Sequence, residues 1–161
     1  MTDSNWPVAQ FDPVRRLRVI AATTPGASIH EIVVGAPLES VWDVAADLEG
    51  ELPLWLFPDI RSIKVTTPTA DSERLVARAR GHSGLRARFD VVLRPGWCLM
   101  QSRFLLGGMA ATEEDGATRF ALLGGFCGPL RLLAPAIRPI SARLGDRALI
   151  RFAERVDERP R

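Results

Sequence analysis

The spacing of apolar residues changes period along this chain, and the changes mark out its elements. The first alternating run is S-I-H-E-I-V-V at 28–34, which predicts a strand with His30, Ile32 and Val34 on one face. A register one residue off would turn Glu31 to that face instead. Pro37 suits a helix first turn, so 37–46 is expected to be helical, and Gly50 and Pro53 leave at best a second short helix at 51–56. A strand at 60–66 and a turn from Pro68 to Ser72 follow. Further strands are expected at 73–80, 86–94, 97–105, 108–114 and 117–124. Gly81-His82-Ser83-Gly84, Pro95-Gly96, Gly107-Gly108 and Asp115-Gly116 separate them. Helical spacing then returns, and 129–157 reads as one long helix that Pro135 and Pro139 bend or interrupt. At the other end, 1–11 reads as a loose arm. Asp12-Pro13 is a helix start, with Val14, Leu17, Ile20 and Ala21 on one face and Thr24-Pro25-Gly26 as the stop; a strand is the competing reading there.

Turn chemistry fixes registers. Asp115-Gly116 is a two-residue hairpin signal that pairs Glu114 with Ala117, Ala111 with Phe120 and Met109 with Leu122. Pro95-Gly96 pairs Leu93 with Cys98, Val91 with Met100, Phe89 with Ser102 and Ala87 with Phe104. Directly opposite residues share a face, so these pairs sort apolar against apolar. Leu75, Ala77 and Ala79 are expected on the same face. Leu133, Ile137, Ile140, Leu144, Ala148, Phe152 and Val156 recur at helical spacing in the last segment. Small residues at Ala77, Ala79, Ala87 and Ala111 would leave room on a curved sheet.

Composition narrows the class. A chain of 161 residues suits one domain. A net charge of +2 does not point to nucleic acid. No long apolar run is present and the N-terminus lacks a signal-peptide order, so the expectation is a cytoplasmic protein with no transmembrane segment. Cys98 and Cys127 should end up at opposite ends of the sheet, unbonded.

The stretch Ile32–Pro58, I-V-V-G-A-P-L-E-S-V-W-D-V-A-A-D-L-E-G-E-L-P-L-W-L-F-P, resembles the opening of the SRPBCC superfamily, in particular its polyketide cyclase/dehydrase branch. Trp42, Asp47, Trp55 and Pro58 carry the resemblance. It implies an α+β helix-grip fold, in which a curved antiparallel sheet of about seven strands wraps a long C-terminal helix, with two short helices after the first strand. That domain would cover 28–157, preceded by an arm at 1–27 and followed by a tail at 158–161. It also implies a cavity for a hydrophobic small molecule, such as a polyketide, lipid or aromatic compound, and raises cyclase/dehydrase-type activity as an option.

On this expectation Leu75, Ala77, Phe89, Val91, Met100, Ser102, Phe104, Met109, Phe120, Leu122, Leu133 and Ile137 face the ligand. Trp55 and Phe57 stand where the resemblance puts the cavity mouth and either stack on a ligand or seal the end. His30 is the one candidate acid or base, with a backbone-bonded strand-end histidine as the alternative. Several chemistries lack their residues. There is no tyrosine, the single lysine Lys64 points outward, and arginine does not act as a base. Two histidines, His30 and His82, do not make an iron or zinc set, and no nucleotide fingerprint is present, so no metal or cofactor is expected. Arg78 is expected opposite Arg88, Arg80 opposite Arg86, and Arg103 beside Arg88. This reads either as a solvated face or as a dock for an anionic partner such as an acidic carrier protein. A non-catalytic carrier and a protein-interaction module are the alternatives to an enzyme.

Overall fold

The computed structural model describes residues 12–68 and 73–159; the expected arm at 1–11, most of the turn at 68–72 and the end of the tail lie outside them. Seven antiparallel strands form one sheet: β1 (Ser28–Val34), β2 (Ile60–Thr66), β3 (Arg74–Gly81), β4 (Arg86–Arg94), β5 (Trp97–Gln101), β6 (Leu105–Glu114) and β7 (Ala117–Phe126). Their order is β1-β7-β6-β5-β4-β3-β2. Two short helices, α2 (Leu38–Ala46) and α3 (Leu52–Trp55), follow β1. A 3₁₀ segment (Gly128–Leu133) leads into the 25-residue α4 (Ala134–Glu158).

The hairpin registers follow the turn chemistry. Asp115 and Gly116 both take positive φ, 50° and 81°, which lets a two-residue turn match the twist of its strands. Ala111 then pairs with Phe120 and Met109 with Leu122. Past the Pro95-Gly96 turn, Leu93 pairs with Cys98 and Val91 with Met100.

That ladder stops at Gln101, so the expected pairs Phe89–Ser102 and Ala87–Phe104 do not form, and Arg103 is not beside Arg88. The reason is Ser102. Its hydroxyl accepts from the Leu105 N–H at 2.9 Å and the Phe104 N–H at 3.3 Å, while its own N–H donates to the Leu105 carbonyl at 2.8 Å. These local bonds replace the ladder and turn the chain early. Gly107 and Gly108 consequently lie inside β6 rather than between strands.

Both faces of the sheet are packed. On the convex face Asp12 caps α1 (Pro13–Thr23) by accepting from the Arg15 N–H at 3.0 Å. Val14 and Leu17 are buried there against Trp97, Ala110, Ala121 and Leu123. A Cβ on Gly108 would lie 2.8 Å from Leu17 Cδ1, so glycine lets the helix approach. Arg18 of α1 and Arg119 of β7 both bond Glu31 of β1, which places Glu31 on the outer face, opposite in sense to His30.

On the concave face the C-terminal half of α4 is fixed by an aromatic cluster. Phe152 stacks on Phe120 with centroids 4.0 Å apart and meets Trp55 edge-on at 4.8 Å. Arg155 forks onto Glu51 at 2.9 and 3.1 Å, and Arg151 Nε donates to the Trp55 carbonyl at 2.9 Å, so α4 also holds α3. Between Pro135 and Arg147, by contrast, no residue of α4 is fully buried. Pro139 sits in that stretch and offers no N–H to the turn before it.

Two outcomes follow from this packing. Phe152→Ala should cost about 3–5 kcal/mol of stability in chemical denaturation, because a fully buried ring leaves a void among two others. The carboxyls of Glu51 and Glu31 are held below the ordinary value by the Arg155 and Arg18 guanidiniums bonded to them. Their stabilising contribution is therefore complete above the unfolded carboxylate value and lost as pH falls through the lowered one. The thermal midpoint should decline on acidification below about pH 5, and less steeply in Glu51→Gln.

Candidate functional site

Where the N-terminal half of α4 stands off the concave sheet, a cavity of about 360 Å³ remains. Small-molecule sites begin at roughly this size. Its sheet wall comes from Ala77, Ala79, Phe89, Met100, Gly107, Leu122 and Gly124; Leu48, Leu52, Leu56, Phe57, Ile60 and Ile63 close one end. The helix wall is Ile137, Ser141, Leu144, Gly145 and Ala148.

The space has a backbone origin. Gly107 of β6 and Gly124 of β7 lie directly opposite each other, in the phase that faces α4. A Cβ built on Gly124 would meet nothing within 4 Å. Glycine inside a strand marks either a close approach or open space, and here it marks open space. Ala77 and Ala79 serve the same end, whereas Ala87 and Ala111, also expected to make room, do not line the cavity.

Polar groups are few and engaged. Ser141 Oγ donates to the Arg138 carbonyl at 3.0 Å, and Ser28 Oγ to the Gly124 carbonyl at 3.4 Å. His30 lines the cavity and its Nδ1 lies 2.9 Å from Asp146 Oδ1. A carboxylate only accepts, so this bond puts the imidazole proton on Nδ1. The other nitrogen, Nε2, is buried without a partner. A Cβ on residue 145 would lie 2.5 Å from His30 Cδ2 and 2.6 Å from Nε2, so Gly145 is what allows α4 to cover the ring. His30 thus contributes carbon surface to the cavity while its free nitrogen is pressed against the helix.

The expected site residues divide accordingly. His30, Phe57, Ala77, Phe89, Met100, Leu122 and Ile137 are brought together around the cavity. Trp55, Val91, Met109 and Phe120 are buried in the core and Leu75 packs at its margin, none of them lining the space. Ser102 and Phe104 leave the sheet at the early turn, Phe104 being 38% exposed. Leu133 falls in the 3₁₀ segment, 51% exposed, because the helix begins later than its apolar spacing suggested. On the outer face Arg78 does oppose Arg88, and Arg80 opposes Arg86; Arg103 lies instead over the ring of Phe104, 5.3 Å from its centroid.

Gly107, Gly124, Gly145 and Asp146 were not among the expected residues. The available signal was glycine in otherwise strand-like or helical runs, which also reads as a turn or a break. Among the described residues, Cys98 is buried with its thiol pushed up to about 12 by burial, and Cys127 is also free. No group of three or more metal-ligating side chains is found among the described residues, and no helix there is long and apolar enough to cross a membrane.

Solved structures share this architecture. The Zhui aromatase/cyclase from Streptomyces sp. R1128 superposes with a TM-score of 0.60 at 18% identity, covering 84% of this chain and 95% of that one. The protein CC1736 from Caulobacter crescentus gives 0.64 at 17% identity, over 82% and 96%. The di-domain aromatase/cyclase BexL from the BE-7585A biosynthetic pathway gives 0.60 at 15% identity over 88% of this chain, which spans 54% of the BexL chain. The fold is the helix-grip fold. At these identities the likeness to the two aromatase/cyclases and to CC1736 is one of fold. No protein-family model and no curated protein matches the sequence.

The His30 contact makes a specific demand on residue 145. Gly145→Ala should destabilise by about 1–3 kcal/mol through overpacking. The same change in a His30→Ala background should cost measurably less, and a double-mutant cycle in denaturant reads the coupling. Additive effects would mean that the ring and the helix are not in contact.

Proposed function

We propose that this protein binds a hydrophobic small molecule in the cavity beneath α4, as a binder or carrier rather than an acid–base catalyst. The observation that carries the reading is the open space at Gly124 inside walls made almost wholly of carbon. Apolar surface around a preformed hollow favours an apolar occupant, since the ligand sheds water and the walls gain contacts. A polyketide, lipid or aromatic compound fits this chemistry, and the fold shared with aromatase/cyclases supports the same ligand class.

The preference for binding over catalysis rests on the polar groups. A general base must reach its proton within hydrogen-bond distance. His30 Nδ1 is engaged by Asp146 and Nε2 is covered at Gly145, while both cavity serines are already bonded. Cyclase/dehydrase-type activity would need His30 to swing clear of the helix. Loss of turnover in His30→Ala with ligand affinity unchanged would favour that second reading.

The test uses N-phenyl-1-naphthylamine, an uncharged apolar fluorophore. Gly124→Leu should fill the hollow without a clash and lower affinity for the dye by at least ~tenfold, one side chain's worth of lost volume and contact. Its thermal midpoint should stay at or above the wild-type value. Wild-type affinity in a folded Gly124→Leu protein, or no dye binding by the wild type, would remove the cavity reading.

A further inference from the structure

We infer that the segment joining β7 to the middle of α4 is a docking surface for an anionic lipid bilayer. Three large apolar side chains stand in solvent there: Leu132 is 84% exposed, Leu133 51% and Ile140 61%. Interleaved with them are the exposed Arg131, Arg138 and Arg143. From Ala117 to Gly145 the chain carries no Asp or Glu. The neighbouring β5–β6 turn adds Arg103 and the part-exposed Phe104, tied to the segment by the Cys127 N–H donating to the Phe104 carbonyl at 2.8 Å. The nearest carboxylate on α4, Asp146, follows the stretch and accepts from His30 Nδ1, its side chain 71% exposed.

Apolar groups among arginines without carboxylates are the makings of an interfacial helix: the apolar side chains enter the acyl boundary and the guanidiniums meet phosphates. Charge decides among occupants. A second copy of this chain meeting the same surface would set arginine against arginine, which the lack of carboxylates leaves uncompensated. An acidic protein would satisfy the charge. The bilayer is preferred because Ile137 and Leu144 of this same stretch form the cavity's helix wall, so a surface contacting it lies next to the hollow and holds apolar molecules. That preference rests on the small-molecule reading; the docking itself does not. The basic sheet face at Arg78 and Arg88 is a separate patch on β3 and β4.

Co-sedimentation tests the inference, with vesicles of phosphatidylcholine alone and vesicles in which a third of the lipid is phosphatidylglycerol. The full chain should partition onto the anionic vesicles, and added salt should weaken binding. Arg138→Glu with Arg143→Glu, and separately Leu132→Ser with Ile140→Ser, should each lower partitioning ~tenfold or more, at about tenfold per pair of interfacial contacts. All four side chains are exposed, so both variants should unfold at the wild-type temperature. Arg78→Glu with Arg88→Glu should bind as wild type. Gly124→Leu should also bind vesicles whether or not it has lost the dye, so a failed cavity and a failed dock give different results. The inference is overturned if neither lipid binds, if neutral and anionic vesicles bind alike, or if only the sheet-face variant loses binding. Self-association abolished by Ile140→Ser without vesicle binding, or capture by poly-glutamate but not by vesicles, overturns it in favour of those partners.

Discussion

The structure depends on how unequally α4 is held. Its C-terminal half is fixed by Phe152 against Phe120 and Trp55 and by the fork of Arg155 on Glu51. Its N-terminal half carries no comparable anchor, and opposite it the sheet presents Gly107 and Gly124. Close packing would normally consume such a gap. It persists because the anchored half sets the height of the helix, and because glycines place no side chains in the interval.

The same asymmetry explains the site's chemistry. The walls are apolar because the inner phase of the strands is the core phase, continued past the point where the core fills. His30 reaches the boundary between the two halves of α4, where Gly145 admits its ring and Asp146 Oδ1 accepts a hydrogen bond from its Nδ1–H. Covering Nε2 keeps that nitrogen from the hollow, whose lining is then almost wholly apolar.

The outer surfaces show how charge is managed when nearly all the cations are arginine. Glu31 is shared by Arg18 and Arg119, and Glu51 by Arg155 and Arg159, so these guanidiniums serve as cross-links between elements. Arg78 and Arg88 face each other across β3 and β4, with Asp90 3.8 Å from Arg88. Exposure keeps that opposition inexpensive. The half of the convex face under α1 is instead apolar, which divides the sheet exterior into a packed region and a solvated one.

How much of this was legible beforehand can be argued residue by residue. Alternation and turn chemistry were sufficient for β1, β2 and the β6–β7 register, because Asp115-Gly116 admits one turn geometry and a one-residue slip would bury the wrong face. Helical spacing was sufficient for Ala148, Phe152 and Val156, which are buried. It failed for Leu133 and Ile140, where the apolar period continues but the side chains stay more than half exposed. It also failed at Ser102, whose local hydrogen bonds outcompete the ladder. The sequence by itself determined which elements form and which face of each is apolar, since those follow from spacing along one segment. Tertiary structure alone decided that Gly124 looks into space while Gly108 is packed under Leu17, and that His30 is closed off by Gly145. These depend on the distance between elements far apart in the chain, and a glycine or a histidine carries no local record of what stands opposite it.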